Sequence, residues 1–300
     1  MKKNVLFIPA IFLMAVISSC QKDNNAAAPA ASNVKASNLS LASTALCSTG
    51  GSQDPSVTIK NGLVGYYPFT GNANDSSGHG NNGTLRDFDD NFILYGLPAL
   101  TADKYGHANS AYHFNGLSNY ILLNQNPLFF GPVIPNPTDP TDPTGSSISQ
   151  FSIYLRFKTD SSGTLMYFGQ RQFTNCTLSV NPNRSVTFRW QSSIYNPKDT
   201  ADYGYPETIV SVTGGPVCLD PNKWIDLVIN YNESCLILYL NGTLVGFNHT
   251  TMSSGHIYNN LAIGALQGTF PTNFFNGSID QVRFYDRALT NPEIAYLLAH

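Results

Sequence analysis

From Gly62 to Tyr285 the chain is cut into short apolar-rich runs by Gly, Asn, Asp, Ser and Pro. Within Phe151-Ser152-Ile153-Tyr154-Leu155-Arg156-Phe157 and Val282-Arg283-Phe284-Tyr285, polar and apolar residues alternate with period two. That period places successive side chains on opposite sides of a strand, one side buried and the other wet, as in an antiparallel sheet. The pattern predicts strands over 63–69, 120–123, 151–157, 164–168, 177–180, 185–190, 208–212, 224–231, 235–240, 243–247, 261–266 and 277–285. Asn241-Gly242 supplies a tight hairpin turn, because both residues tolerate positive φ.

One helix is predicted, at the end of the chain. Thr290 and Glu293 have capping-box spacing, Pro292 lies in the first turn, and Ile294, Leu297 and Leu298 form an apolar stripe. Many strands and almost no helix point to an all-β fold: a two-sheet antiparallel jelly-roll sandwich with a short C-terminal helix. Scarce charge and abundant Asn, Ser, Thr, Gly, Pro and aromatic residues suit a turn-rich β protein. No composition break divides residues 61–300, which are expected to be one domain.

The start of the chain has a different character. Lys2 and Lys3 precede an apolar run from Val5 to Ile17, closed by Ile17-Ser18-Ser19-Cys20. A basic start, a short apolar core and small residues at the end make a secretory signal. With Cys20 at the cleavage position, the stretch resembles a bacterial lipobox. That resemblance implies a signal peptide over 1–19, lipidation at Cys20 and a protein anchored in the cell envelope. The expected location is the outer membrane, with the cell surface open. The apolar run is too short to span a bilayer, which takes about 20 residues. Acyl chains anchor by burying CH2 groups, each worth about 0.8 kcal/mol. Residues 20–60 carry few large apolar groups and read as a flexible tether. A coil over Gln21–Leu46 spans about 30 Å.

Removing 1–19 takes away Lys2 and Lys3, so 14 basic side chains face 19 acidic ones. A mildly acidic chain without a concentrated basic face argues against nucleic acid as a partner. Apart from Cys20, the cysteines are Cys47, Cys176, Cys218 and Cys235. An even number in an oxidising compartment suggests two disulfides, with three pairings open. The preferred pair is Cys176 with Cys218, which flank a long excursion. No C-x-x-C pair supports a redox or zinc site.

Several motifs carry a family resemblance. Gly62-Leu63-Val64-Gly65-Tyr66-Tyr67-Pro68-Phe69 leads into Gly71-Asn72-Ala73-Asn74-Asp75-Ser76-Ser77-Gly78, then Gly80-Asn81-Asn82-Gly83-Thr84. Tyr105–Gly116 follows, and Phe275-Asn276-Gly277-Ser278-Ile279-Asp280-Gln281-Val282 lies near the end. The order of these motifs over 62–298 resembles the laminin-G-like, concanavalin A-like jelly roll. The fold hosts lectins, glycan-binding modules, adhesion domains and some hydrolases, so it leaves function open. The resemblance implies a structural calcium ion held by the Asp75 and Asp280 carboxylates, with oxygens from the Asn115 turn and from Gly78 and Gly80. Calcium takes six to eight hard oxygen ligands of mixed kind. The competing reading is that Asp75 caps its own turn and Asp280 accepts backbone hydrogen bonds. The cluster Asp87, Asp89 and Asp90 reads as a solvated loop.

Gly78-His79-Gly80-Asn81-Asn82-Gly83 matches G-x-G-x-x-G, but a dinucleotide site needs a helix after it. The laminarinase-type relatives of this fold carry closely spaced acidic residues on one strand. This chain has only Glu207, Glu233 and Glu293, none in that pattern. No G-x-S-x-G or H-E-x-x-H occurs either, so catalysis is not expected. A binding role draws on the excursion between Trp190 and Thr208, where Tyr195, Tyr203 and Tyr205 could stack on sugar rings. Packing of that loop onto the sandwich is the equal alternative. The Pro-rich excursion 125–149 favours extended polyproline II over strands. Two readings therefore stay open: an anchored module that recognises polysaccharide, and an adhesion or structural protein that binds another envelope protein.

Overall fold

In the computed structural model the described residues are 53–88, 94–123, 129, 133–134, 147–169, 175–193, 207–217, 219–252, 261–266 and 271–300. A short helix, α1 (Pro55–Thr58), comes first. Strands β1 (Leu63–Tyr67), β2 (Gly83–Asp87), β3 (Ala99–Thr101), β4 (Ala111–Asn115) and β5 (Asn119–Leu123) follow. Next come β6 (Val133–Ile134), β7 (Ser147–Ile148), β8 (Gln150–Thr159), β9 (Gly163–Gly169), β10 (Asn175–Val180), β11 (Val186–Ser193) and β12 (Glu207–Gly214). The last elements are β13 (Ile225–Asn232), β14 (Cys235–Leu240), β15 (Thr243–His249), β16 (Leu261–Ile263), β17 (Asn276–Tyr285) and α2 (Asn291–Ala299).

Two antiparallel sheets form the sandwich. The larger runs β15-β14-β13-β8-β17-β4-β3, with β1 also paired to β17. The smaller runs β12-β11-β10-β9-β16-β5-β2. Strand β17 serves two partners: its first half, Asn276–Ile279, pairs with β4, and its second half, Val282–Tyr285, pairs with β1. Between the sheets lie Phe151, Ile153, Leu155 and Phe157 of β8, facing Met166, Phe168, Phe188 and Trp190, all buried. Phe151 and Phe188 touch across the gap with ring centres 6.0 Å apart. Each such side chain contributes about 1.5–3 kcal/mol on leaving water, so the core strands hold the two sheets in register.

The turn at Asn241-Gly242 forms as expected, with φ of 49° and 77°. Helix α2 also forms where the capping box places it: the Thr290 side chain accepts from the Glu293 N–H and the Glu293 carboxylate accepts from the Thr290 N–H. It covers the outer face of the larger sheet. Ile294 and Leu297 pack there with Tyr154, Val228 and Tyr285, and Ile59 joins them.

Four expectations need correcting. The outer side of β8 is not wet, since Ser152, Tyr154 and Arg156 are all buried. Period two says which way a side chain points, whereas α2 and the chain around Lys104 decide that this face is covered. The fold begins before residue 61: Ile59 is buried, and the Arg287 guanidinium donates to the carbonyls of Thr58 and Asn61. The excursion 125–149 is partly structured, because β6 pairs with β7 and Phe129 stacks on Phe284 at 4.3 Å. Cys176 is a free, fully buried thiol, so the preferred Cys176–Cys218 pair does not form. It sits on β10 among core side chains, and burial pushes its thiol pKa up. Cys235 is disulfide-bonded. Cys20, Cys47 and Cys218 lie outside the described residues, as do the signal segment, most of the tether, the Pro-rich stretch, Asp89, Asp90, Tyr195, Tyr203 and Tyr205. Among the described residues no helix is long and apolar enough to cross a membrane.

Candidate functional site

Strands β8, β13 and β17 set up a buried charge cluster. Asp226 stands directly opposite Arg156 in the β13–β8 register. Its Oδ1 receives Arg156 Nε at 2.6 Å and the Tyr154 hydroxyl at 2.7 Å. Its Oδ2 receives Lys104 Nζ at 3.0 Å. On the other side of Arg156 the β8–β17 register slips. Leu155 pairs with Val282 and Phe157 with Ile279, so Asp280 and Gln281 together oppose the single residue Arg156. Two residues against one is a β-bulge, which re-aims a side chain out of the regular pleat. Here Asp280 reaches Arg156 Nη1 at 3.2 Å.

The Arg156 side chain is 1% exposed, and its Nη2 has no hydrogen-bond partner among the described residues. Burial raises the Asp280 pKa to about 6, against the opposing pull of Arg156. A strongly shifted carboxyl in a cleft is a reasonable marker of a functional site.

A cavity of about 450 Å³ opens over this cluster, lined by Tyr66, Asp103, Tyr105, His107, Arg156, Asp280, Gln281, Arg283 and His300 among others. Tyr66 and Arg283 are register partners of β1 and β17, and the guanidinium lies 4.3 Å from the Tyr66 ring centre. Tyr105 is half-exposed and stands 5.6 Å from the Arg156 guanidinium carbon. Asp103 is held by the N–H groups of Tyr105 and His107 and by His107 Nδ1 at 2.8 Å. Burial pushes its pKa up, but the His107 and Tyr105 donors outweigh this and hold it low. A second cavity, about 690 Å³, lies by β2 and β5 with Leu85, Leu94, Leu97 and Leu122 in its wall. It contains no buried ion pair of this kind.

The residues expected to hold calcium fall into separate local networks. Asp75 Oδ1 accepts from the N–H groups of Tyr66 and Ser77, and Oδ2 from the N–H of Asn81. Burial pushes its pKa up, yet these donors prevail and lower it. Asn115 Oδ1 accepts from the N–H groups of Leu117 and Ser118 at the β4–β5 turn. Gly78 and Gly80 sit exposed in a turn at φ of 94° and 74°. Asp280 is engaged by Arg156. Among the described residues no group of three or more His, Cys, Asp or Glu side chains could hold a metal. Asp75 and Asp280 thus each hold donors of their own, backbone N–H groups for the first and a guanidinium for the second. Asp75 instead fixes the backbone of Tyr66, and so serves the cavity from behind. The G-x-G-x-x-G run leads into strand β2, with no helix to receive a pyrophosphate.

Residues 137–295 match the family model described as the concanavalin A-like lectin/glucanases superfamily. The chain belongs to this superfamily. No curated protein matches it in sequence. Among solved structures it resembles domain 4 of AbnA, a GH43 extracellular arabinanase from Geobacillus stearothermophilus, in complex with arabinotriose. There the identity is 21% and the TM-score 0.47, covering 79% of this chain and 98% of that one. It also resembles the botulinum neurotoxin serotype D binding domain at 13% identity and a TM-score of 0.51, covering 82% of this chain and 52% of that one. The chain thus spans about half the length of the toxin domain. Likeness at such identity shows the fold alone.

Sequence reasoning named Asp280 but missed Arg156, Asp226, Asp103, Tyr105, Tyr66 and Arg283. The available signal was an Arg in the middle of a long central strand, with an Asp at a matching place in a later strand.

Proposed function

We propose that the chain is an envelope-anchored, non-catalytic module that binds carbohydrate in the cavity around Arg156. The observation that carries this reading is the lining: two tyrosine rings, Tyr66 and Tyr105, beside hydrogen-bonding groups fixed by internal partners. Sugars present apolar C–H faces and polar rims, and a few fixed polar groups beside aromatic rings match both. Anchoring through Cys20 rests on the lipobox resemblance, and the reading requires no calcium.

The lining also offers the one specific argument for a hydrolase, since Asp280 has a raised pKa and Asp103 is near enough to add to it. Glycosidases need one carboxyl to give a proton to the leaving oxygen and another to act on the sugar or water. Here Asp280 is 6% exposed and engaged by Arg156, and Asp103 is engaged by His107, so each carboxyl already holds a hydrogen-bond partner of its own.

Retention of the full chain, in a non-glycosidic detergent, on immobilised polysaccharides tests the reading. Binding to at least one polymer, lost in Tyr66→Ala and Tyr105→Ala, is expected. Loss only in Tyr203→Ala with Tyr205→Ala would move the site to the β11–β12 excursion. A blank across the panel from a folded protein would turn the assignment to an envelope protein partner. Release of reducing sugar would establish the hydrolase instead.

A further inference from the structure

The same cavity has a surplus of donors. Asp280 is already engaged by Arg156 Nη1, and Asp103 by three donors of Tyr105 and His107. The two guanidinium groups are less fully used. Arg156 keeps a buried Nη2 with no acceptor among the described residues. Arg283, half-buried, donates through Nε to Gln281 at 3.1 Å, while its guanidinium carbon lies over the Tyr66 ring, 4.3 Å from the ring centre. An unsatisfied buried donor costs about 1–3 kcal/mol, more when charged, and such atoms are rare enough in folded proteins to demand a reason.

We propose that the cavity is selective for acidic sugars, receiving a uronic-acid-type carboxylate between Arg283 and Arg156. The proposal rests on the carbohydrate-binding reading above and adds the class of sugar. A guanidinium offers paired N–H donors in a fork that matches a carboxylate, and stacking on an aromatic ring fixes the plane of that fork. Tyr66 does this for Arg283, and Asp75 holds Tyr66 through its backbone N–H. Arg156 is oriented by Asp226 and Asp280, which leaves Nη2 for an incoming oxygen. The Tyr105 ring covers that guanidinium, and its hydroxyl makes one long hydrogen bond, 3.4 Å to the Ala299 carbonyl. Ligand entry turns this ring aside and stacks the sugar on it. A carboxylate brings both acceptor oxygens and a negative charge to the two guanidinium groups, whereas the hydroxyls of a neutral sugar bring no charge.

The test compares the full chain on polygalacturonate, alginate and hyaluronate, on their methyl-esterified or carboxyl-reduced forms, on neutral galactan and mannan, and on a sulfated galactan. Binding to at least one uronate polymer is expected, with loss when its carboxyls are esterified or reduced. Arg283→Ala should weaken it by about tenfold to a hundredfold, as for a charge-assisted hydrogen bond, with Arg283→Lys in between. Arg283 lies at the cavity wall, and an unchanged melting temperature confirms that the variants are folded. Equal binding of neutral polymers, dependent on Tyr66 and Tyr105, would overturn the acidic-sugar proposal and leave the carbohydrate reading standing. Uronate binding indifferent to both Arg283 variants would overturn it as diffuse charge attraction. Preference for the sulfated galactan would replace carboxylate by sulfate ester. No binding to any polymer would overturn both readings together.

Discussion

Arg156 and Asp226 face each other across the β8–β13 ladder, joined at 2.6 Å with side-chain exposures of 1% and 7%. Two charges this far out of water persist because Asp280, Tyr154 and Lys104 add further hydrogen bonds to the pair.

Removing Asp226 leaves the buried Arg156 guanidinium with one carboxylate, Asp280, in place of two. Asp226→Ala is expected to lower unfolding stability by about 3–5 kcal/mol, measured by denaturant titration. A loss below about 1 kcal/mol would mean that water already reaches Arg156, as at an exposed pair.

Glu293 sets an acid limit on stability. Burial pushes its carboxyl up, but hydrogen bonds from Arg287 and Thr290 overcome this and bring its pKa from the ordinary 4.5 down to about 2. A depressed folded pKa stabilises above the unfolded value and loses that contribution as pH falls toward 2. Thermal stability should therefore decline as pH falls from 4.5 to 2, and Glu293→Gln should flatten that slope.

Asp280 acts in the opposite sense. Its folded pKa, about 6, lies above the ordinary 3.8, so the native state holds an extra proton between those values. Its contribution to stability then falls as pH rises from 3.8 to 6. Asp280→Asn should remove this descending limb from a stability–pH curve. A curve with the limb intact would assign it to another group.

Chelation offers a direct check on the donor networks. With Asp75, Asn115 and Asp280 occupied by N–H groups and a guanidinium, EDTA should leave the melting temperature unchanged. Asp75→Ala, by stranding the N–H groups of Tyr66, Ser77 and Asn81, should cost about 1–3 kcal/mol. A chelator-dependent fall in melting temperature, abolished by Asp280→Ala, would restore the calcium expectation.

Cys176 should resist alkylation in the native protein and react once the chain is unfolded, because the thiolate is the reactive form and burial disfavours it. Peptide mapping that finds Cys176 in a disulfide would contradict the structure.

The sandwich is legible in the sequence because period two and turn chemistry are local signals. Asn241-Gly242 and the Thr290–Glu293 box can be read without knowing anything distant. Strands β2, β3 and β4 escape such a reading, since Gly83, Asp87 and the three-residue Ala99–Thr101 segment carry little alternation of their own and depend on their neighbours. The site is less legible than the fold. Arg156 obeys the alternation rule and so reads as a solvated outward residue. Its burial comes from α2, Lys104 and a register slip at Asp280, none of which leaves a mark near position 156. Asp75 stands out in the sequence, and of the two roles weighed for it the structure supplies the turn cap.

Arg287 grips the carbonyls of Thr58 and Asn61 with the same guanidinium that holds Glu293 of α2. A pull on the chain upstream of Asp54 is therefore handed to this clasp before any strand of the sandwich is loaded. Tension arriving from that side falls first on the Arg287 bonds to Thr58 and Asn61, ahead of the β1–β17 pairing.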